Sequence, residues 1–261
     1  MPQAIAPLRQ HRIQKYGWLP DLPDQRDFLY AAPAPFQTNI PPSVDLSTAC
    51  PPVYDQGQLG SCTANAIAGA IEFDQLKAKL PVFVPSRLFI YFNERTMEGT
   101  VNSDSGAQIR DGIKSVATLG APAETDWPYN IAAFTQKPPD KAFTDAKQHL
   151  VVLYQRLIQE IGTLKGCLAS GFPFVFGFTC YESFEGAEVA KTGILPMPAS
   201  SEKVVGGHAV LCVGYDDKAQ QFLVRNSWGP DWGLKGYFKM PYAYLTNHRL
   251  ASDLWTIRSV Q

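Results

Sequence analysis

The stretch Gln56-Gly57-Gln58-Leu59-Gly60-Ser61-Cys62-Thr63 contains the strongest single indication of fold and chemistry in this chain. Apolar residues follow it at the spacing of one helix face, at Ala64, Ile67, Ala68 and Ile71. Pro81 ends the helical pattern. A loop with two glycines therefore delivers Cys62 to the first turn of a helix, where free amides and the helix dipole favour an anion. We expect the pKa of Cys62 to be lowered and its thiolate to act as a nucleophile.

A cysteine by itself carries little weight, because free cysteines are often small buried hydrophobic residues. The chain has five cysteines, at Cys50, Cys62, Cys167, Cys180 and Cys212. Their number is odd and none are spaced as Cys-x-x-Cys, which argues against a zinc site or a dense disulfide framework. The sequence leaves undecided whether one or two disulfides form. We expect no metal and no cofactor.

The composition is that of an ordinary globular protein. The 261 residues suffice for one large domain or two small ones. Lys and Arg number 23 against 24 Asp and Glu, so the formal net charge is −1. The absence of a basic excess argues against nucleic acid or an anionic membrane as partner.

No segment has the pattern of a membrane span or a secretory signal. The best candidate for a span, residues 166–181, is uncharged but is interrupted by Gly171, Pro173 and Gly177, and spanning needs roughly 20 apolar residues. The first 18 residues contain no continuous apolar core. The cytoplasm is therefore the default expectation, with export without a cleaved signal as the alternative.

Residues 1–39 read as an appended segment without a core of its own. Ten of the 21 prolines lie in the first 52 residues, and residues 31–42 resemble an extended linker. Trp18, Leu19, Leu22 and Phe28 are too apolar for a free tail, so we expect them to dock on the body of the protein.

The remaining pattern changes from helical to extended along the chain. Residues 108–119 and 150–170 have helical patterns that end at Gly120 and Gly171. Short runs rich in β-branched and aromatic residues follow, at residues 173–179, 208–215, 221–228 and 236–240. We therefore predict an α+β protein with two lobes.

Two further motifs carry candidate chemistry. Gly206-Gly207-His208 places a histidine at the head of a strand, where it could reach a thiolate, although a histidine at a strand end is often only structural. Asn226 lies in Arg225-Asn226-Ser227-Trp228-Gly229, and an asparagine amide can orient an imidazole, although it is also an ordinary turn residue. The joint occurrence of Gln56, Cys62, His208 and Asn226 in this order is difficult to attribute to chance.

The chain resembles the papain-like cysteine peptidases of the C1 family, in a bacterial-type branch with a short Tyr-Gly-Trp leader. The resemblance covers about residues 40–240, and residues 40–45 look like the usual mature start. Residues 226–233 are similar to the family's Asn-Ser-Trp-Gly-x-x-Trp-Gly run, and Gly120, Pro128 and Tyr129 fit its Gly…Tyr-Pro-Tyr region. Leu59 and Thr63 depart from the family's Cys-Gly-Ser-Cys-Trp, which removes a disulfide partner and alters packing but removes no catalytic group.

The resemblance implies a peptidase domain over residues 40–261. Its helical lobe would cover about residues 50–147. Its antiparallel, β-barrel-like lobe would cover about 148–250 plus the strand near 40–46, with the active-site cleft between the two lobes.

The resemblance also implies which residues act on polypeptide substrates. Cys62 would be the nucleophile, His208 the acid and base, Asn226 the residue that orients the ring, and Gln56 an oxyanion donor. The residues that would bind substrate are Ser105, Gly106, Ala107, Gln108, Ala209 and Trp228. An apolar or aromatic side chain is expected in the pocket near Ala107 and Ala209. Residues 1–39 would be a pro-segment lying across the cleft, or would merely cover a hydrophobic patch.

Two other functions are compatible with parts of the pattern. A transglutaminase- or amidase-like acyl transferase would also use Cys and His, but such enzymes usually have an acidic third residue and lack Asn-Ser-Trp-Gly. A catalytically silent binding homologue would keep the fold, but it has no chemical reason to retain Gln56, Cys62, His208 and Asn226 together.

Overall fold

The computed structural model describes residues 16–261. The part of the predicted pro-segment that precedes Tyr16 lies outside the described residues. Within the described range, eight α-helices and nine β-strands form the fold.

The helices cluster in the first half of the chain but continue into the second. They are α1 (Pro35–Thr38), α2 (Cys62–Ala78), α3 (Arg87–Glu98), α4 (Ile109–Thr118), α5 (Asp140–Ala146), α6 (Ile161–Ala169), α7 (Ala187–Thr192) and α8 (Tyr242–Leu245). Single 3-10 turns lie at Ser47–Ala49, Ile131–Ala133 and Glu182–Glu185.

The strands form one large antiparallel sheet and one small parallel pair. They are β1 (Trp18–Leu19), β2 (Ser43–Asp45), β3 (Ala107–Gln108), β4 (Val151–Arg156), β5 (Phe174–Tyr181), β6 (Val204–Asp216), β7 (Gln221–Arg225), β8 (Tyr237–Pro241) and β9 (Ala251–Val260). The large sheet has seven strands in the order β4-β9-β5-β6-β7-β8, and β2 pairs with the far end of β6. β1 pairs with β3 in parallel.

The predicted α+β class is confirmed, and two details differ from expectation. The sheet stays open between β4 and β8 in the described part of the chain, so the β-rich half is not a closed barrel. Residues 150–170 are not one helix. Val151-Val152-Leu153-Tyr154 form an edge strand that pairs with β9, and the helix starts only at Ile161. The β-branched residues and the long-range pairing with β9 outweigh local helical spacing here.

Helix α2 is the central element, since every residue from Cys62 to Gln75 is buried. It packs on β6 and β9 on one side and on α3 and α4 on the other. Small side chains, among them Ala64, Ala68 and Gly69, allow this close approach. The sequence-predicted start at Cys62 and stop before Pro81 are confirmed, and Lys79 ends the helix in a left-handed conformation.

Gly120, at the end of α4, tests how tightly the helical half is packed. Its φ is +77°, and a Cβ there would lie 1.7 Å from the carbonyl oxygen of Ala146. Gly99 is a matched control with φ +71° and nothing within 4 Å of a Cβ. We expect Gly99→Ala to lower the free energy of unfolding by about 1–2 kcal/mol, from left-handed strain alone. Gly120→Ala adds about 1–3 kcal/mol from overpacking. Urea titration of both variants measures the difference, and equal losses would contradict the packing argument.

Candidate active site

The loop before α2 is held so that Cys62 lies at the helix start. The backbone N–H of Gln56 donates to the carbonyl oxygen of Ser227 at 2.9 Å, which ties the loop to the segment after β7. The side-chain amide of Asn65 donates to the carbonyl oxygen of Ser61 at 2.9 Å. Cys62 itself is fully buried. These bonds set the thiol at the junction of the helical half and the sheet.

His208 and Asn226 meet because their strands are neighbours in the sheet. His208 lies in β6 and Asn226 directly follows β7. The imidazole Nε2 lies 2.8 Å from the amide oxygen Oδ1 of Asn226, and both residues are buried. Because an amide oxygen only accepts, Nε2 donates in this bond. The Trp228 ring lies beside the imidazole, with centroids 5.1 Å apart and planes 31° apart.

Gln56 is oriented by a residue to which sequence reasoning gave no role. Ser227 donates its hydroxyl to the amide oxygen of Gln56 at 2.6 Å, and the Gln56 amide nitrogen donates to the carbonyl oxygen of Leu59 at 2.9 Å. The amide nitrogen has a second hydrogen that this bond does not use. Ser227 stands next to Asn226 in the Asn-Ser-Trp-Gly run, and this position was the signal in the sequence that could have indicated its role.

The six candidate substrate-binding residues fall into different places. Gly106, Ala107 and Gln108 border the space that the N-terminal segment occupies at Gly17 and β1, here called the groove. The backbone N–H of Ala209 acts on the pKa of the Cys62 thiol in the lowering direction. The hydroxyl of Ser105 instead turns into its own loop, where it donates to Thr100 at 2.8 Å. Trp228 packs on His208.

The backbone around Gly17 occupies the space above the thiol. The carbonyl oxygen of Gly17 accepts from the N–H of Ala107 at 2.7 Å, and the N–H of Gly17 lies near enough to the Cys62 thiol to act on its pKa in the lowering direction. A Cβ on Gly17 would lie 1.7 Å from the carbonyl oxygen of Gly60. A Cβ on Gly106 would lie 2.3 Å from the carbonyl oxygen of Gly17. A side chain at Gly17 or at Gly106 would therefore clash with backbone, so only glycine fits at these two positions.

The side chains that flank Gly17 fill two neighbouring spaces. Tyr16 lies edge-on to His208, with ring centroids 6.0 Å apart, and its hydroxyl donates to Glu185 at 2.9 Å. Trp18 is 8% exposed and its indole lies directly over Gly177 and Gly207. The expectation that Trp18 docks is confirmed. It is wrong for Leu19, Leu22 and Phe28, which are 40%, 71% and 74% exposed.

Carboxylates and arginines anchor the rest of this segment. Asp21 accepts the indole N–H of Trp255 at 2.9 Å and the backbone N–H of Arg110 at 3.0 Å. Asp27 forms ion pairs with the guanidinium groups of Arg110 and Arg156, the second at 3.1 Å. Nothing in the sequence marked these residues, because they lie up to 234 positions apart. Polar contacts therefore hold the segment where apolar docking was expected.

The pKa of Cys62 contradicts the sequence-based expectation. Burial raises it from an ordinary 9.0 to about 12, although the backbone N–H groups of Ala209, Gly17 and Thr63 act in the lowering direction. The covering backbone of Gly17 excludes water, and loss of hydration disfavours a thiolate more than the helix start favours it. The prediction of a lowered pKa holds for a helix start that is open to solvent, whereas Cys62 is fully buried.

All five cysteines are free thiols. No cluster of His, Cys, Asp or Glu within residues 16–261 has the geometry of a metal site. None of the helices in this range is long and apolar enough to cross a membrane.

The comparisons with known proteins agree with this geometry. The model of the papain family of cysteine proteases matches residues 40–254. An uncharacterised peptidase C1-like protein of Acanthamoeba polyphaga mimivirus is 43% identical over 95% of this chain and 88% of its own length. Mouse procathepsin L is 26% identical over 79% of this chain, which spans 62% of that relative.

A solved structure extends the likeness to the whole fold. Xylellain, a cysteine protease from Xylella fastidiosa, superposes with a TM-score of 0.89 at 48% identity, covering 94% of this chain and 96% of that one. The chain therefore belongs to the papain family of cysteine proteases. It is a cysteine peptidase, and the acyl-transferase and silent-homologue alternatives are not favoured.

Proposed function

We propose that Cys62 is the nucleophile of this peptidase and that His208, Asn226 and Gln56 complete its catalytic set. The Cys62 thiolate attacks a peptide carbonyl carbon while His208 carries the thiol proton. The second hydrogen of the Gln56 amide and the Cys62 backbone N–H donate to the oxyanion. His208 then protonates the leaving nitrogen, and water activated by His208 hydrolyses the acyl-enzyme.

The observation that carries this assignment is the buried 2.8 Å bond between His208 Nε2 and Asn226 Oδ1. It fixes the orientation of the ring, and the other ring nitrogen serves as acid and base in this proposal. The Trp228 ring shields this bond from water, which strengthens it. Ser227 supports the assignment of Gln56, because it holds the amide in one orientation.

We also propose that the chain is made in a latent form and that the residues around Gly17 keep substrate from Cys62. The contacts of Gly17 with Gly60, Ala107 and the Cys62 sulfur support this proposal. A peptide substrate needs the same space, since its carbonyl must reach the sulfur. Residues 1–39 would then act as a pro-segment, and displacement from the groove would suffice for activation.

Gly17→Ala should activate the full-length chain without any cleavage. The added methyl cannot coexist with the Gly60 carbonyl at 1.7 Å, so the segment must leave the groove. We expect at least a tenfold rise in the rate of Cys62 alkylation by iodoacetamide and in hydrolysis of a fluorogenic peptide. The basis is that a buried thiol reacts only after exposure.

The matched control for Gly17 is Gly162→Ala, where nothing lies within 4 Å of the new Cβ. This variant should behave as the parent chain. If Gly17→Ala is folded but leaves both rates unchanged, the latency proposal is rejected.

Gln56→Ala, made in the Gly17→Ala chain, tests the oxyanion role. Loss of one such donor typically lowers turnover by about 10²–10³-fold. We expect kcat to fall by that amount while Cys62 still reacts with iodoacetamide. Gln58→Ala, on the exposed side of the same loop, is the control and should keep full turnover. Normal kcat in a folded Gln56→Ala chain would exclude this role.

Latency should weaken as the pH rises. Burial and the charge of Asp253 raise the pKa of Asp21 to about 6, and burial also raises the pKa of Asp253. A carboxyl whose pKa is raised by docking binds its proton more tightly when docked, so the docked state is favoured in acid and loses stability as the pH rises through about 6. Arg110, Arg156 and Glu98 also face this pair.

Asp21→Asn measures this effect, because the amide does not titrate. Its single oxygen keeps one of the two bonds that Asp21 accepts, from Trp255 or from Arg110. We expect the ratio of the wild-type to the variant rate of Cys62 alkylation to be lowest near about pH 4, where Asp21 is largely protonated in both states. At pH 7.5 this ratio should be about tenfold higher or more, and the ratio cancels the ionisation of the thiol itself. A ratio that does not change with pH would contradict the role of Asp21.

A further inference from the structure

Two walls that come from different parts of the chain border the groove at Gly17. One wall is the loop before α2, where a Cβ on Gly17 would lie 1.7 Å from the carbonyl oxygen of Gly60. The other wall is the segment before β3, where a Cβ on Gly106 would lie 2.3 Å from the carbonyl oxygen of Gly17. Gly60 is two residues before Cys62, and Gly106 directly precedes Ala107. The spacing of the two walls therefore sets how far the thiol lies from the backbone N–H of Ala107.

The carboxylate of Asp104 and the hydroxyl of Tyr91 connect these walls. The backbone N–H of Gly60 donates to both carboxylate oxygens of Asp104, each at 3.1 Å. The hydroxyl of Tyr91 donates to Oδ1 of the same carboxylate. That hydroxyl also accepts the backbone N–H of Gly106 at 3.1 Å. A continuous chain of hydrogen bonds, here called the bridge, thus runs from one wall of the groove to the other.

Both members of the bridge are fixed to the helical half of the protein. Tyr91 is fully buried in α3, and the guanidinium of Arg95 lies 4.1 Å from the centroid of its ring. Arg95 also donates to the carbonyl oxygens of Val101 and Ser103, at 2.7 Å and 3.1 Å, directly before Asp104. Burial and the Asp104 carboxylate raise the pKa of Tyr91, so its hydroxyl stays protonated and remains a donor.

The spacing of the walls matters for long substrates more than for short ones. The backbone of Gly17 shows that an extended chain in the groove takes a hydrogen bond from the N–H of Ala107, at 2.7 Å. A peptide that does so must also present its carbonyl carbon to Cys62, and a misplacement of about 1 Å can lower a rate by about 10²-fold. An acyl group with no preceding residue meets only the thiol and the oxyanion donors. Loss of the bridge should therefore slow long substrates selectively.

We propose that Asp104 and Tyr91 are positioning residues for peptide hydrolysis, which hold the loop of Cys62 and the backbone at Gly106 at the spacing that an extended substrate requires. Neither side chain takes part in a chemical step. This inference rests on the proposed function of Cys62.

The test uses the full-length Gly17→Ala chain and two substrates, a fluorogenic tetrapeptide amide and 4-nitrophenyl acetate, with Cys62→Ser as the background. The ratio of the two kcat/KM values cancels the fraction of the chain that is folded and open, which a merely structural role would change. We expect Asp104→Ala and Tyr91→Phe each to lower the ratio of tetrapeptide to ester by about tenfold or more. Ser103→Ala, at an exposed position of the same loop, is the control and should leave the ratio unchanged.

Asp104→Asn should keep most of this ratio, because one amide oxygen has two lone pairs and can accept from both Gly60 and Tyr91. The double variant with Asp104→Ala and Tyr91→Phe should be no worse than the more severe single variant, since either change breaks the same bridge. If the tetrapeptide and the ester are affected equally in both single variants, the inference is overturned. If the Gly17→Ala chain hydrolyses neither substrate faster than its Cys62→Ser form, the proposed function fails instead.

Discussion

The close packing of α2 between the sheet and the other helices is the constraint on which the site depends. Every residue from Cys62 to Gln75 is buried, including Asn65 and Glu72. Such packing is tolerated because alanines and Gly69 line the helix and because polar groups find partners. Arg225, for example, crosses from β7 to donate to the carbonyl oxygens of Pro51 and Pro52, both at 2.8 Å. Movement of the helix start would therefore disturb both halves of the protein.

The same burial raises the pKa of the Cys62 thiol in this arrangement. A helix start and nearby amides favour a thiolate only when water or a cation can share its charge. The Gly17 backbone removes that water, and the pKa of Cys62 rises to about 12. In the proposed latent form, the backbone around Gly17 would restrain catalysis by desolvation as well as by steric exclusion. The polar anchors at Asp21 and Asp27 give that cover a strength that apolar docking alone would not.

Sequence reasoning was most successful where the chemistry requires a contiguous motif. The helix start at Cys62, the extended runs that contain His208 and Asn226, and the family itself followed from short runs of residues. It failed at residues 150–170, where pairing with β9 converts a helical pattern into a strand. It also missed Ser227 as the partner of Gln56, and it gave no indication of Asp253 beside Trp18.

The sequence by itself determined which groups are available: a cysteine at a helix start, a histidine in a strand, an asparagine after a strand, and a glycine between two aromatic residues near the beginning. The predicted place of His208 at the head of its strand was wrong, because β6 begins four residues earlier, at Val204. These are properties of local runs, in which spacing and backbone preference act over a few residues. Only the tertiary structure decided that Gly17 meets Gly60 and Cys62, and that Asp21 and Asp253 share one buried site. Those contacts join positions 43 to 232 residues apart, and their energies depend on burial and close approach, which no local pattern encodes.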